Sequence, residues 1–178
     1  MKLLRTIRLD PSDSFLFERA AEPGEWAVPG AFAFAHADVA TLEGKARAAF
    51  RSGFLGIDSL GWSTLVQIVE ASEQDRLAAV ELLAQRLVEH FGAPDLDTAR
   101  PAAEEEIAFA ASLSNHPRGM LAAVSRQHED GAIREAFRTL TPSIGPKPLR
   151  AYAFLEVVGE DEPEEHVDLQ TLGKGEQR

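Results

Sequence analysis

The chain of 178 residues contains no cysteine. That absence excludes a disulfide framework, a thiolate metal site and a cysteine nucleophile. No stretch approaches the roughly 18 to 20 apolar residues that a membrane-spanning helix needs. Lys2, Arg5 and Arg8 near the start are not followed by the apolar run of a signal peptide. A cytoplasmic location and no membrane partner are therefore expected.

Positive charge is scarce as well. Eighteen basic residues face 29 acidic ones, a formal net charge of −11, which repels phosphate backbones and disfavours a nucleic-acid partner. Residues 159–178 hold seven acids and two bases, a net −5 that leaves −6 for the body. Such a segment buries too little to offset its ordering entropy.

What remains is 44% hydrophobic, enough for one sizeable core. The expected organisation is a single α+β domain over residues 1–158 and an acidic, mobile tail over 159–178. The fold expected is an antiparallel or mixed sheet of about five or six strands with three or four helices packed on it.

Leu3 to Leu9 and Phe15 to Arg19 show partial alternation around Asp10-Pro11-Ser12-Asp13, which predicts a hairpin. After Pro29-Gly30, the segment Ala31 to His36 places Phe32, Phe34 and His36 on one strand face, with His36 buried or half-buried. Thr41 to Arg51 predicts a short amphipathic helix, residues 53–62 a glycine-rich loop, and Leu65 to Val69 an interior strand.

The clearest helix runs from Glu73 to Phe91. Ser72 is its N-cap, Glu73 and Asp75 complement its dipole, and Gly92 with Pro94 ends it. Leu77, Val80, Ala84, Leu87, Val88 and Phe91 are the expected core stripe. A further helix is expected from about Pro101 to Ser114, a strand over Leu121 to Val124, a helix over Gly131 to Leu140, and a central strand over Arg150 to Val158. Leu65 to Leu77 and Leu121 to Ile133 faintly echo each other as strand, acidic turn and helix.

Most familiar catalytic signatures fail on context. Gly53, Gly56 and Gly61 precede a strand rather than a helix, so they make no phosphate loop. Ser59 lacks the glycine spacing and the following helix of a nucleophile elbow. Gly173-Lys174-Gly175 has no downstream hydroxyl.

His90, Asp95, Asp97, Glu105 and His116 offer nitrogen and oxygen ligands that suit a divalent metal if they converge. The competing structural account makes His90 a helix C-terminal group and Asp95 and Asp97 turn or capping residues. His128 falls in a polar turn and His166 in the tail. Trp26, Phe54 and Trp62 sit beside glycine and proline rather than inside periodic elements. They are candidate ligand or partner contacts, against the commoner role of closing a core edge.

Three stretches carry a resemblance: Arg5-Thr6-Ile7-Arg8-Leu9-Asp10 through Phe17-Glu18-Arg19-Ala20 to Trp26-Ala27-Val28-Pro29-Gly30; Gly53-Phe54-Leu55-Gly56 to Gly61-Trp62-Ser63; and Ala93-Pro94-Asp95-Leu96-Asp97 to Glu105-Glu106-Ile107. Together they resemble an uncharacterised bacterial domain-of-unknown-function family of small acidic cytosolic proteins. Such proteins resemble accessory products encoded beside redox-enzyme maturation genes, which bears on role and transfers no catalytic residue.

Two functional expectations follow. One is a non-enzymatic accessory or assembly protein without a cofactor, a homo-oligomer or a partner of another protein, touching it through a sheet edge or the helix at 73–91. The other is a small metal-dependent enzyme or ligand-binding protein with a pocket between the 53–62 loop and the 90–106 segment.

Overall fold

The computed structural model describes residues 1–142 and 155–157. Its strands are β1 (Lys2–Ile7), β2 (Trp26–Val28), β3 (Phe54–Gly56), β4 (Trp62–Ser63), β5 (Leu65–Glu70), β6 (Leu121–Glu129), β7 (Ala132–Pro142) and β8 (Leu155–Val157). Its α-helices are α1 (Ser12–Leu16), α2 (Gly44–Ser52), α3 (Glu73–His90) and α4 (Leu96–Leu113). The α+β class is as expected. The sheet is larger than five or six strands: eight pair antiparallel in the order β4-β3-β2-β1-β5-β6-β7-β8. Short pieces of two or three residues at 26–28, 54–56 and 62–63 make up the difference. They are too short to show alternation, which is why residues 53–62 read as loop.

β5 occupies the interior position its apolar run implied, between β1 and β6. Leu4 pairs with Ile68 and Thr6 with Val66, and Val66 pairs with Ala122, so one face of these strands carries a continuous buried row. Helices α3 and α4 cover it. Ala99, Ala103, Ile107 and Ala110 of α4 are all buried, and their three- and four-residue spacing lets α3 approach closely through Ala79, Val80, Leu83 and Ala84. A second cluster, Phe17, Phe34, Ala49 and Phe50, lies beside α2.

The capping box of α3 is complete: Ser72 Oγ accepts from the Asp75 N–H at 3.0 Å, and the Asp75 carboxylate accepts from the Ser72 N–H at 2.8 Å. The inward stripe of α3 keeps Val80, Ala84, Leu87 and Val88 as expected and adds Ala79 and Leu83, whereas Leu77 is 53% exposed. Helix α4 begins five residues before Pro101, at an N-cap formed by Asp95, which accepts from the Thr98 N–H at 2.8 Å. Pro101 therefore lies beyond the first turn, where it leaves the Asp97 carbonyl without its i+4 donor.

Four other expectations are corrected. Residues 12–16 form helix α1 rather than the return strand of a hairpin, because the Asp10 carboxylate accepts from the Ser12 N–H and turns the chain into a helix. Residues 31–34 form a 3-10 turn, so Phe32 meets Phe91 and Phe34 meets Phe50, both edge to face, and His36 is exposed. The stretch 131–140 is strand β7, not helix, which also removes the internal echo: the second copy is strand, turn, strand. Within the expected Arg150 to Val158 strand only 155–157 are described, and β8 is terminal in the strand order rather than central. The proposed tail, residues 159–178, lies outside the described residues.

Candidate functional site

The inward face of β6 runs Ala122, Val124, Arg126. An arginine thus occupies a position that alternation assigns to the interior. The Arg126 side chain has no exposed surface and its guanidinium is engaged on every nitrogen: Nε donates to Glu135 at 2.7 Å, Nη1 to the Phe50 carbonyl at 2.8 Å and the Ala49 carbonyl at 3.4 Å, and Nη2 to the Pro29 carbonyl. Ala49 and Phe50 lie in the last turn of α2, where the dipole is negative; the Ala49 carbonyl also accepts from the Gly53 N–H at 3.0 Å, so of the two Arg126 bonds more closely to the Phe50 carbonyl. Arg126 therefore caps α2 from a strand and ties the Pro29 loop to the same point.

Glu106 of α4 stands near this cation and accepts from the Gly30 N–H at 3.4 Å. Burial raises its carboxyl pKa above the ordinary range, the Gly30 N–H works against that, and the Glu135 carboxylate adds to the rise. Burial lowers the pKa of Arg126, while Glu135 and Glu106 push it back up. The result is one buried cation shared between two carboxylates. Its geometry serves docking of α2, α4 and the hairpin of β6 and β7, and the bonds to three carbonyls and Glu135 leave the guanidinium engaged on every nitrogen.

The residues singled out from sequence are dispersed. His90 is exposed in the last turn of α3, 3.9 Å from Glu89. Asp95 caps α4 and Asp97 pairs with Arg100 at 3.2 Å. Glu105 is exposed on α4, and the His116 carbonyl accepts from Lys2 Nζ at 2.6 Å. Among the described residues, no group of three or more histidine, aspartate or glutamate side chains is placed to hold a metal ion. No helix among them is long and apolar enough to cross a membrane.

The aromatic candidates divide. Phe54 is wholly buried against Phe137, so its packing is that of a core residue. Trp26 and Trp62 are half-buried. The Arg5 guanidinium lies 4.0 Å over the Trp26 ring, and Trp62 stacks on Phe34. Ser59 is absorbed by its own turn, donating to Glu25 and accepting from the Gly61 N–H at 3.0 Å.

Sequence reasoning passed over two features. One is Arg126, whose signal is a charge in the inward register of an otherwise apolar strand. The other is an exposed apolar group around α1: Phe15 is 74% exposed, and Leu9 and Leu16 are exposed within the same eight residues. Large apolar side chains gathered in water mark a contact surface more strongly than scattered ones.

No curated protein and no solved structure matches the chain. A family model, described as a family of unknown function (DUF6505), matches residues 1–152. With that match spanning the β1 to β7 body built above, the chain belongs to the family of unknown function DUF6505.

Proposed function

We propose that this protein is a cytoplasmic accessory or assembly protein that acts through protein contacts, and that its contact surface is the apolar group Leu9, Phe15 and Leu16. The observation that carries this reading is the exposure of Phe15, a ring whose burial would release about 2 kcal/mol or more of hydrophobic free energy. The expected sheet edge is a poorer candidate. At β4 the backbone is already engaged, since the Trp62 N–H donates to the Arg19 carbonyl and the Trp62 carbonyl accepts from the Ala21 N–H. The outer face of α3 contributes only Leu77 among exposed large apolar residues.

The occupant favoured is a second copy of the chain, because a self-complementary patch on a two-fold axis buries the same side chains twice. A role beside redox-enzyme maturation rests on the resemblance of the opening and loop segments described above. Sedimentation equilibrium tests the contact directly. Mass is expected to rise above the 19.4 kDa monomer with concentration, and Phe15→Ser with Leu16→Ser is expected to hold the protein monomeric. A wild-type chain that remains at 19.4 kDa throughout rejects self-association through this patch.

A further inference from the structure

We propose that the cleft between α2 and β6 binds a small organic anion, with Arg47 and Arg51 holding its charged head and Leu42 and Val39 receiving its apolar part. This goes beyond the contact role, since the cleft is built from other residues than the α1 patch.

The cleft has a volume of about 440 Å³, within the range of metabolite-sized sites. Arg47 and Arg51 are four residues apart on α2, hence on one face of the helix, and both line the opening. Neither side chain has an ion-pair or hydrogen-bond partner among the described residues, and both are exposed. In a chain with a net charge of −11, two guanidinium groups on one helix face with no carboxylate partner among the described residues are the opposite of what surface pairing would produce. The nearby cations behave differently: Arg126 at the base is engaged by Glu135 and carbonyls, and Arg134 pairs with Glu129 at 3.2 Å.

Glu129, the one carboxylate lining the cleft among the described residues, is engaged by Arg134, which also reaches Asp130 at 3.8 Å, and Arg47 and Arg51 are the charges left facing the opening. His128 stands on the opposite wall from α2 and offers a further donor. Two guanidinium forks present parallel N–H donors that fit a carboxylate or a phosphate. The half-buried Val39 and Leu42 add an apolar edge to an otherwise polar cleft, which favours a ligand with a hydrocarbon or aromatic part over a bare inorganic anion.

The test uses anilinonaphthalene sulfonate, an aromatic anion, as the probe on the full chain. Fluorescence titration of the wild-type protein is expected to saturate at one equivalent. Arg47→Gln with Arg51→Gln is expected to weaken that binding about tenfold or more, whereas Phe15→Ser with Leu16→Ser leaves it unchanged. Both arginines are exposed, so circular dichroism and thermal unfolding of the double variant should match wild type. Displacement by phenyl phosphate but not benzoate assigns a phosphate head, and the reverse assigns a carboxylate. Equal affinity in the wild-type and arginine variants, loss of binding in the α1 variant alone, or displacement by neither competitor overturns the proposal. Failure at α1 leaves the cleft standing, and failure of the cleft leaves α1 standing, because each variant reads one surface.

Discussion

Arg126 and Glu135 face each other directly across the β6 and β7 ladder, 2.7 Å apart, with no side-chain surface of Arg126 exposed to water. Removing the cation takes the partner from the Glu135 carboxylate and from the Phe50 and Pro29 carbonyls, while the Ala49 carbonyl keeps the Gly53 N–H. Arg126→Leu is expected to destabilise the fold by about 3–5 kcal/mol. Adding Glu135→Leu should return part of that loss, because the second substitution removes the uncompensated charge. Urea unfolding of the two single variants and the double variant measures the coupling.

Glu106 gives a pH dependence with a definite sign. Its carboxyl pKa is raised in the folded chain by burial, so between the ordinary carboxylate value and the raised one the native state binds the extra proton. Stability from this group is therefore present at acid pH and lost as pH rises through the raised value. Glu106→Gln keeps an acceptor for the Gly30 N–H and removes the ionisation. The variant is expected to be more stable than wild type at neutral pH, and the difference should vanish toward acid. Thermal unfolding across the pH range checks it.

Gly61 is held against the 20–21 backbone. A Cβ built there would lie 2.5 Å from the Ala20 carbonyl oxygen and 2.7 Å from the Ala21 nitrogen, and backbone yields less than a side-chain tip. Gly61→Ala is expected to cost about 1–3 kcal/mol by displacing segment 19–21 from β4. Chemical denaturation reads the cost, and increased proteolysis near Arg19 would locate it.

The capping box of α3 predicts a smaller effect. Ser72→Ala removes the acceptor for the Asp75 N–H and should cost about 1 kcal/mol. Ser72→Asp should retain most of the stability, as measured by thermal unfolding.

The elements legible in the sequence are those whose signals are local. Ser72, Asp75 and the three- and four-residue apolar spacing define α3 whatever surrounds it, and Leu65–Glu70 is too apolar for an edge. The hairpin of β6 and β7 had an equally local signal that the helical reading overrode. Asp130-Gly131 joins Glu129 to Ala132 with both residues at positive φ, 53° and 77°, the conformation that two-residue hairpin turns require and that Asp-Gly favours. Past it, Ile133, Glu135, Phe137 and Thr139 alternate with period two.

Other features depend on distant partners and left no such trace. Leu77 fits a helical stripe by spacing, yet the buried face of α3 passes through Ala79, Val80, Leu83 and Ala84 and leaves Leu77 exposed. The cluster around Arg126 joins positions 29, 49, 50, 106 and 135, which no spacing rule connects. The expected metal ligands were neighbours along the chain, but helix geometry turned Asp95 into a cap and Asp97 toward Arg100.

The reach of Arg126 also bears on synthesis. The carbonyls it satisfies leave the ribosome 76, 77 and 97 residues before it does. Until β6 emerges, the end of α2 and the Pro29 bend must keep their own water, so a nascent chain stalled short of that strand holds an unfinished seam. Translation pauses ahead of residue 126 would prolong exposure of Phe34 and Phe50 to chaperones and proteases.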